Sequence, residues 1–75
     1  MHVPRNWILP VGTRVVTRRA MQRPHGGGML PAGSVGVVVR SPGDPVHSYR
    51  VQLLDGLEMS LTRGAIDIFL RRRPI

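Results

Sequence analysis

Glycine and proline recur along the whole chain and leave no room for a long helix. Nine glycines and seven prolines stand among 75 residues. Proline removes a helical hydrogen bond, and glycine loses the most conformational entropy when it is ordered. No window of about eleven residues carries apolar residues at the i, i+3, i+4, i+7 spacing of an amphipathic helix. Short alternating runs bounded by turn residues are typical of strands. The sequence therefore predicts an all-β fold.

Five short segments have the composition of strands, namely 13–20, 34–40, 48–54, 57–62 and 66–70. In the second of them, Gly36 suits a bend or the close approach of another backbone. Residues 21–33, which include three consecutive glycines, are predicted to be a loop. Asp55-Gly56 predicts a two-residue type I′ hairpin turn. Residues 62–65 are short enough for a single 3₁₀ turn before the last strand.

The order of these features resembles an SH3-like small β-barrel of the KOW or translation-protein type. The resemblance rests on the strand entry at 10–15, the Gly33-x-x-Gly36-x-Val38 element, the strand and hairpin at 49–56, and the turn at 61–66. It implies a single five-stranded barrel over 11–70 with one short 3₁₀ turn. Residues 1–10 then form an extended arm, and residues 71–75 form a basic tail. SH3 domains that bind proline-rich peptides need an aromatic groove, and one Trp, one Tyr and one Phe do not supply it.

Length and cysteine content also bound the class of protein. A chain of 75 residues makes one domain with a thin core. The absence of cysteine excludes disulfides and thiolate metal sites. The longest apolar run, Val35 to Val39, is far shorter than the roughly 20 residues that span a bilayer. We therefore expect a soluble, cytoplasmic protein without membrane association; its oligomeric state stays open, a homo-oligomer included.

No residue pattern indicates catalysis, a metal or a cofactor. The three histidines, His2, His25 and His47, have no partner at the short spacings of metal ligands. Ser48 follows His47, but neighbours on a strand point to opposite faces, and no third group completes a catalytic arrangement. We expect a protein that is not an enzyme and that needs no metal or cofactor.

The distribution of charge is the strongest functional signal. All eleven basic residues are arginine, and the formal net charge is +7. Residues 1–40 hold six arginines and no acid, whereas residues 41–75 hold five arginines and four acids. The coding bias of a GC-rich genome is one explanation of the missing lysine, but it does not by itself explain the shortage of acids. The positive electrostatic field of such a protein favours a polyanion or an acidic protein surface as partner.

Arginines on the predicted strands are the candidate binding residues. Alternation places Arg14 and Arg18 on one face of the first strand and Arg19 on the other, and Arg40 and Arg50 lie on neighbouring segments. Guanidinium groups match the geometry of phosphate oxygens. Because stacking residues are scarce, we expect contacts to backbone phosphates rather than to bases. The first hypothesis is a small basic barrel that binds nucleic acid, alone or within a nucleic-acid-processing assembly.

The alternative is a protein-interaction or oligomer-assembly module without nucleic-acid contact. Trp7, Ile8 and Leu9 form an apolar stretch between Pro4 and Pro10. This stretch either covers an open end of the core or docks on a partner or a second subunit. In this interpretation, the arginines meet an acidic protein surface.

Overall fold

The computed structural model describes residues 8–43 and 47–69, and their regular structure is entirely β apart from two 3₁₀ turns. The seven strands are β1 (Arg14–Thr17), β2 (Met21–Gln22), β3 (Met29–Leu30), β4 (Val35–Arg40), β5 (Tyr49–Leu53), β6 (Glu58–Leu61) and β7 (Ile66–Ile68). The 3₁₀ turns are Pro24–Gly26 and Arg63–Ala65. The all-β prediction is confirmed. Within the described ranges, no helix has the length and apolar character needed to cross a membrane.

Five of the strands form one antiparallel sheet in the order β6-β5-β4-β1-β7. β4, β5 and β6 follow one another as a meander, and β1 lies between β4 and the last strand. Val15 of β1 is consequently opposite Gly36 on one side and Ile68 on the other. These are the five strands expected from the sequence, with somewhat shorter bounds, and the 3₁₀ turn before the last strand is also present.

The prediction of a loop at 21–33 was wrong, because this segment contains a second, two-stranded sheet of β2 and β3. Met21 is opposite Leu30 in this hairpin. Leu30 is buried in the core, and Met21 packs against it. The apolar side chains at the two ends of the segment thus anchor a hairpin. The glycines between them accommodate its turn, since Gly26 and Gly28 have φ values of +75° and +88°.

The turn between β5 and β6 also differs from the prediction. The Gly56 N–H donates to the carbonyl of Leu53 at 2.9 Å, and the Leu53 N–H donates to the carbonyl of Leu57 at 2.8 Å. Gly56 has a φ of +90°, whereas Asp55 does not adopt a positive φ. The connection is therefore a three-residue loop, 54–56, with glycine in the left-handed position, and not a two-residue type I′ turn.

The core lies on the inward face of the five-stranded sheet. Its most deeply buried side chains are those of Val15, Val38, Tyr49, Val51 and Ile66. On β5 and β6, buried and exposed residues alternate strictly. This alternation turns the odd-numbered residues of β5 inward and leaves Arg50 and Gln52 on the outward face.

An exposed ion pair joins the two hairpins. Arg23 follows β2, and its Nη1 lies 2.7 Å from Oδ2 of Asp55 in the β5–β6 loop. The Asp55 carboxylate also accepts a hydrogen bond from the Leu57 N–H at 3.1 Å. The Arg23 hydrogen bond, followed by that of Leu57, lowers the pKa of Asp55 below its usual value of 3.8. The charged carboxylate is thus favoured in the folded state.

Replacement of Asp55 by asparagine is expected to lower the melting temperature at neutral pH. Because the folded-state pKa is depressed, the stabilisation is present above the unfolded pKa and is lost as pH falls through the folded one. The difference in melting temperature between wild type and Asp55→Asn should shrink between about pH 7 and about pH 3. Asp67→Asn is the control, since the Arg18–Asp67 pair is longer at 3.7 Å and its removal should cost less. A difference for Asp55→Asn that is constant over this pH range would contradict the expectation.

Candidate functional site

A β-bulge in β4 brings two of the candidate arginines together. Gly36 and Val38 are buried, so strict alternation along β4 would turn Arg40 inward as well. The register instead shifts by one residue, since Val38 is opposite Val51 while Arg40 is opposite Arg50. Bulges re-aim side chains in this way. Arg40 is consequently exposed and faces Arg50 directly across the strand pair.

The guanidinium group of Arg50 is held by two side chains of β6. Its Nε lies 3.1 Å from Oε1 of Glu58, and its Nη1 donates to Oγ of Ser60 at 3.3 Å. Arg50 and Glu58 are each about half exposed. An exposed pair of this kind contributes at most about 1 kcal/mol to stability. Its main consequence is that the Arg50 side chain is positioned on the outward face. Arg40 meets no carboxylate among the described residues.

Arg40 and Arg50 line an open, polar groove at one side of the sheet, which we call the arginine groove. Ser60 contributes a hydroxyl group to it, and His47 contributes an imidazole. Arginine and hydroxyl donors around one concavity suit an anion such as a phosphate. The arginine groove is therefore the candidate binding site of the molecule.

The other three candidate arginines lie elsewhere on the molecule. Arg14 is opposite Val37, on the same outward face as Arg50, and borders a second shallow depression with Gln52. Arg18 follows β1 at its other end, where it pairs with Asp67 at 3.7 Å and donates to the Gly64 carbonyl at 3.4 Å. Arg19 is exposed beyond the end of β1. The structure thus brings Arg40 and Arg50 together, and these three are not part of the groove.

Leu9, one of the three proposed docking residues, belongs to the core. It is 3% exposed. Its N–H donates to the Tyr49 hydroxyl at 2.9 Å, and its carbonyl accepts a hydrogen bond from the Ser41 hydroxyl at 2.6 Å. Ile8 is 39% exposed, and Trp7 lies outside the described residues. The sequence allowed two roles for this stretch, covering the core or docking on a partner. Leu9 has the first of them.

Glu58, Ser60 and His47 were not among the residues selected from the sequence. The signal for the first two was available, since they alternate outward on β6 and the hairpin register sets Ser60 opposite Arg50. His47 carries no local signal, because it follows a turn-rich segment. Among the described residues, no group of three His, Asp or Glu side chains could hold a metal ion.

Comparison with known proteins adds no family to these observations. No protein-family model matches the chain, and neither the curated proteins nor the solved structures contain a significant match. The arginine groove is therefore interpreted from its own geometry.

Proposed function

We propose that the outward face of the sheet binds nucleic acid through backbone phosphates, with the arginine groove as the principal contact. The observation that carries this proposal is the bulge that sets Arg40 directly opposite Arg50. Like charges directly opposite each other destabilise a sheet. Among the described residues, the only carboxylate that compensates this pair is Glu58, which lies on Arg50. A bound phosphate would neutralise the remaining charge and use both guanidinium groups.

The distribution of charge over the described residues supports a polyanion as partner. Seven arginines stand against three acids in residues 8–43 and 47–69. Two of the acids, Asp55 and Asp67, are engaged by Arg23 and Arg18, away from the groove. Arg14 lies on the same face as the groove and offers a further contact along an extended ligand.

We also propose that the fold is an SH3-like small barrel. The support is the order of its elements, on which the resemblance was based. Five strands form one sheet, and a long connection joins the first two of them. A hairpin joins the third and fourth, and a 3₁₀ turn precedes the last. Small barrels of this type accommodate several functions. The proposed function therefore depends on the groove and not on the fold.

The dependence of binding on salt tests the proposed function. Each neutralised phosphate contributes a slope of about −0.7 to −0.9 to the plot of log affinity against log salt. Contacts from Arg14, Arg40 and Arg50 predict a slope of roughly −2 to −3 with labelled oligonucleotides. Arg40→Ala should reduce the magnitude of this slope by about 0.7 to 0.9, the contribution of one contact. It should not lower the melting temperature, because it removes a like-charge neighbour.

Arg18→Ala is the matched control, since it removes the same charge at the far end of β1. It is expected to change the slope much less. Equal effects of the two substitutions would show that net charge, and not the groove, governs binding. No binding to oligonucleotides at low salt would contradict the proposal and leave an acidic protein surface as the partner to be sought.

A further inference from the structure

The arginine groove continues across the β5–β6 hairpin toward the β2–β3 hairpin. Arg50, Glu58 and Ser60 line the arginine groove and also a further depression, distinct from the one beside Arg14, whose far side is formed by Pro24 and His25 of the β2–β3 turn. The two depressions are therefore parts of one path over the outward face of β5 and β6.

The two ends of the path differ in chemistry. The first end presents the guanidinium group of Arg40, which is a donor for an anion, whereas the Ser41 hydroxyl there donates to the Leu9 carbonyl. Among the described residues, Arg50 is the one arginine that lines the second end, which also presents Pro24, His25 and the half-buried Leu57. Glu58 lies between the ends, and its side chain is about half exposed. Its Oε1 accepts from Arg50, whereas no hydrogen bond within the described residues uses Oε2.

We propose that this path holds one nucleotide unit of a single-stranded nucleic acid, with the phosphate at Arg40 and Arg50 and with Glu58 accepting a hydrogen bond from an exocyclic amino group of the base. The inference rests on the proposed function. The Glu58 carboxylate repels phosphate, and among the described residues Arg50 engages only its Oε1. A ligand that also carries a hydrogen-bond donor would use the remaining oxygen. The exocyclic amino groups of cytosine and adenine are such donors, whereas thymine and uracil have no amino group and carry only the ring N3–H.

A single strand fits this arrangement better than a duplex. Glu58 lies in a concavity. The base edges of a duplex lie at the bottom of its own grooves and are reached by a protruding helix or ribbon. In a single strand, the base turns outward and presents its Watson–Crick edge to the protein, with ring contacts to apolar or imidazole side chains. Pro24, His25 and Leu57 border the place where such a ring would lie.

Binding of oligo(dC) and oligo(dT) of equal length to the full chain tests this inference. The two pyrimidines have the same ring size, but only cytosine has an amino group. We expect oligo(dC) to bind about tenfold more tightly than oligo(dT), as one hydrogen bond to a charged acceptor allows. Glu58→Gln should bring the ratio close to one, because the amide is a weaker acceptor. The same substitution should strengthen binding of oligo(dT), since Arg50 is released for phosphate.

Asp67→Asn is the matched control, because it removes an exposed carboxylate that lies on β7 and pairs with Arg18. It should leave the ratio of the two affinities unchanged. Equal affinities for oligo(dC) and oligo(dT), an unchanged ratio in Glu58→Gln, or tighter binding of a duplex would each overturn the inference while leaving phosphate binding intact. Failure of the proposed function looks different, because then neither oligonucleotide shows salt-dependent binding.

Discussion

Replacement of Gly36 by alanine is expected to destabilise the protein by about 3 kcal/mol, more than is usual for an added methyl group in a core. A Cβ atom at this position would lie 2.7 Å from Cγ1 of Val51 and 2.9 Å from the carbonyl oxygen of Gln52. The first of these contacts is with a fully buried, β-branched side chain that has little rotamer freedom. The second is with backbone, so β4 and β5 would have to separate where Gly36 is opposite Leu53.

The expected loss is a large share of the total stability. A domain of this size has about 0.05–0.15 kcal/mol per residue, and each kcal/mol corresponds to about 4–8 °C in melting temperature for a small domain. Thermal unfolding followed by circular dichroism should show Gly36→Ala melting more than about 10 °C below wild type, the shift those values imply. Gly36→Val should lose still more, because its two methyl groups add to the overlap.

Gly64→Ala provides the control for this prediction. Gly64 has no positive φ, and no heavy atom lies within 4 Å of the Cβ that alanine would add. Alanine there reduces the freedom of the unfolded chain and is expected to be neutral or slightly stabilising. Equal melting temperatures for Gly36→Ala and Gly64→Ala would show that β4 and β5 are not in close contact at Gly36.

The strands of the main sheet could be predicted from the sequence because one face of each is buried. Tyr49, Val51 and Leu53 alternate with Arg50 and Gln52, and this pattern gives both the strand and its faces without tertiary information. The β2–β3 hairpin could not be recognised in the same way. Its strands are only two residues long, and the contacts that hold it are with the core and with the distant Asp55.

The register of the β5–β6 hairpin follows from the hydrophobic pattern of its strands better than from the local Asp55-Gly56 motif. A two-residue turn at Asp55-Gly56 would pair Val51 with Ser60. Residues opposite each other in a sheet share a face, so that register would set an inward valine against an outward serine. The alternation of β5 and β6 requires a loop with an odd number of residues, as observed. Local turn preference suggested the wrong register, and the hydrophobic pattern would have corrected it.

The arginine groove lay beyond sequence reasoning for a different reason. The five arginines were selected for charge, but alternation along β4 gave no basis for placing Arg40 beside Arg50. Their positions opposite each other depend on the bulge between Val38 and Arg40, and no residue type at that point predicts a bulge. Bulges depend on how a strand bends over its neighbours, and this is decided by the packing of the whole sheet.

Replacement of Leu9 by alanine is the second substitution with a large expected effect. Leu9 is buried among the core side chains, and removing a buried leucine side chain costs about 2–5 kcal/mol. Its neighbour Ile8 is 39% exposed, so Ile8→Ala should cost clearly less. Chemical denaturation of the two variants measures the difference. If the stretch served only to dock a partner, the two would be equally stable and would differ from wild type in binding alone.

Tyr49→Phe separates the role of the Leu9 backbone from that of its side chain. The Tyr49 hydroxyl accepts the Leu9 N–H at 2.9 Å, and the tyrosine is fully buried. Phenylalanine keeps the packing but leaves this N–H without an acceptor, which costs about 1–3 kcal/mol. Because both substitutions act on Leu9, the double variant should lose less than the two single losses added together. Fully additive losses would mean that the side chain and the backbone of Leu9 are held independently. A less-than-additive result would show that the side chain and the backbone of Leu9 stabilise one and the same attachment of this residue to the sheet. The attachment is to β5, the strand that carries Arg50.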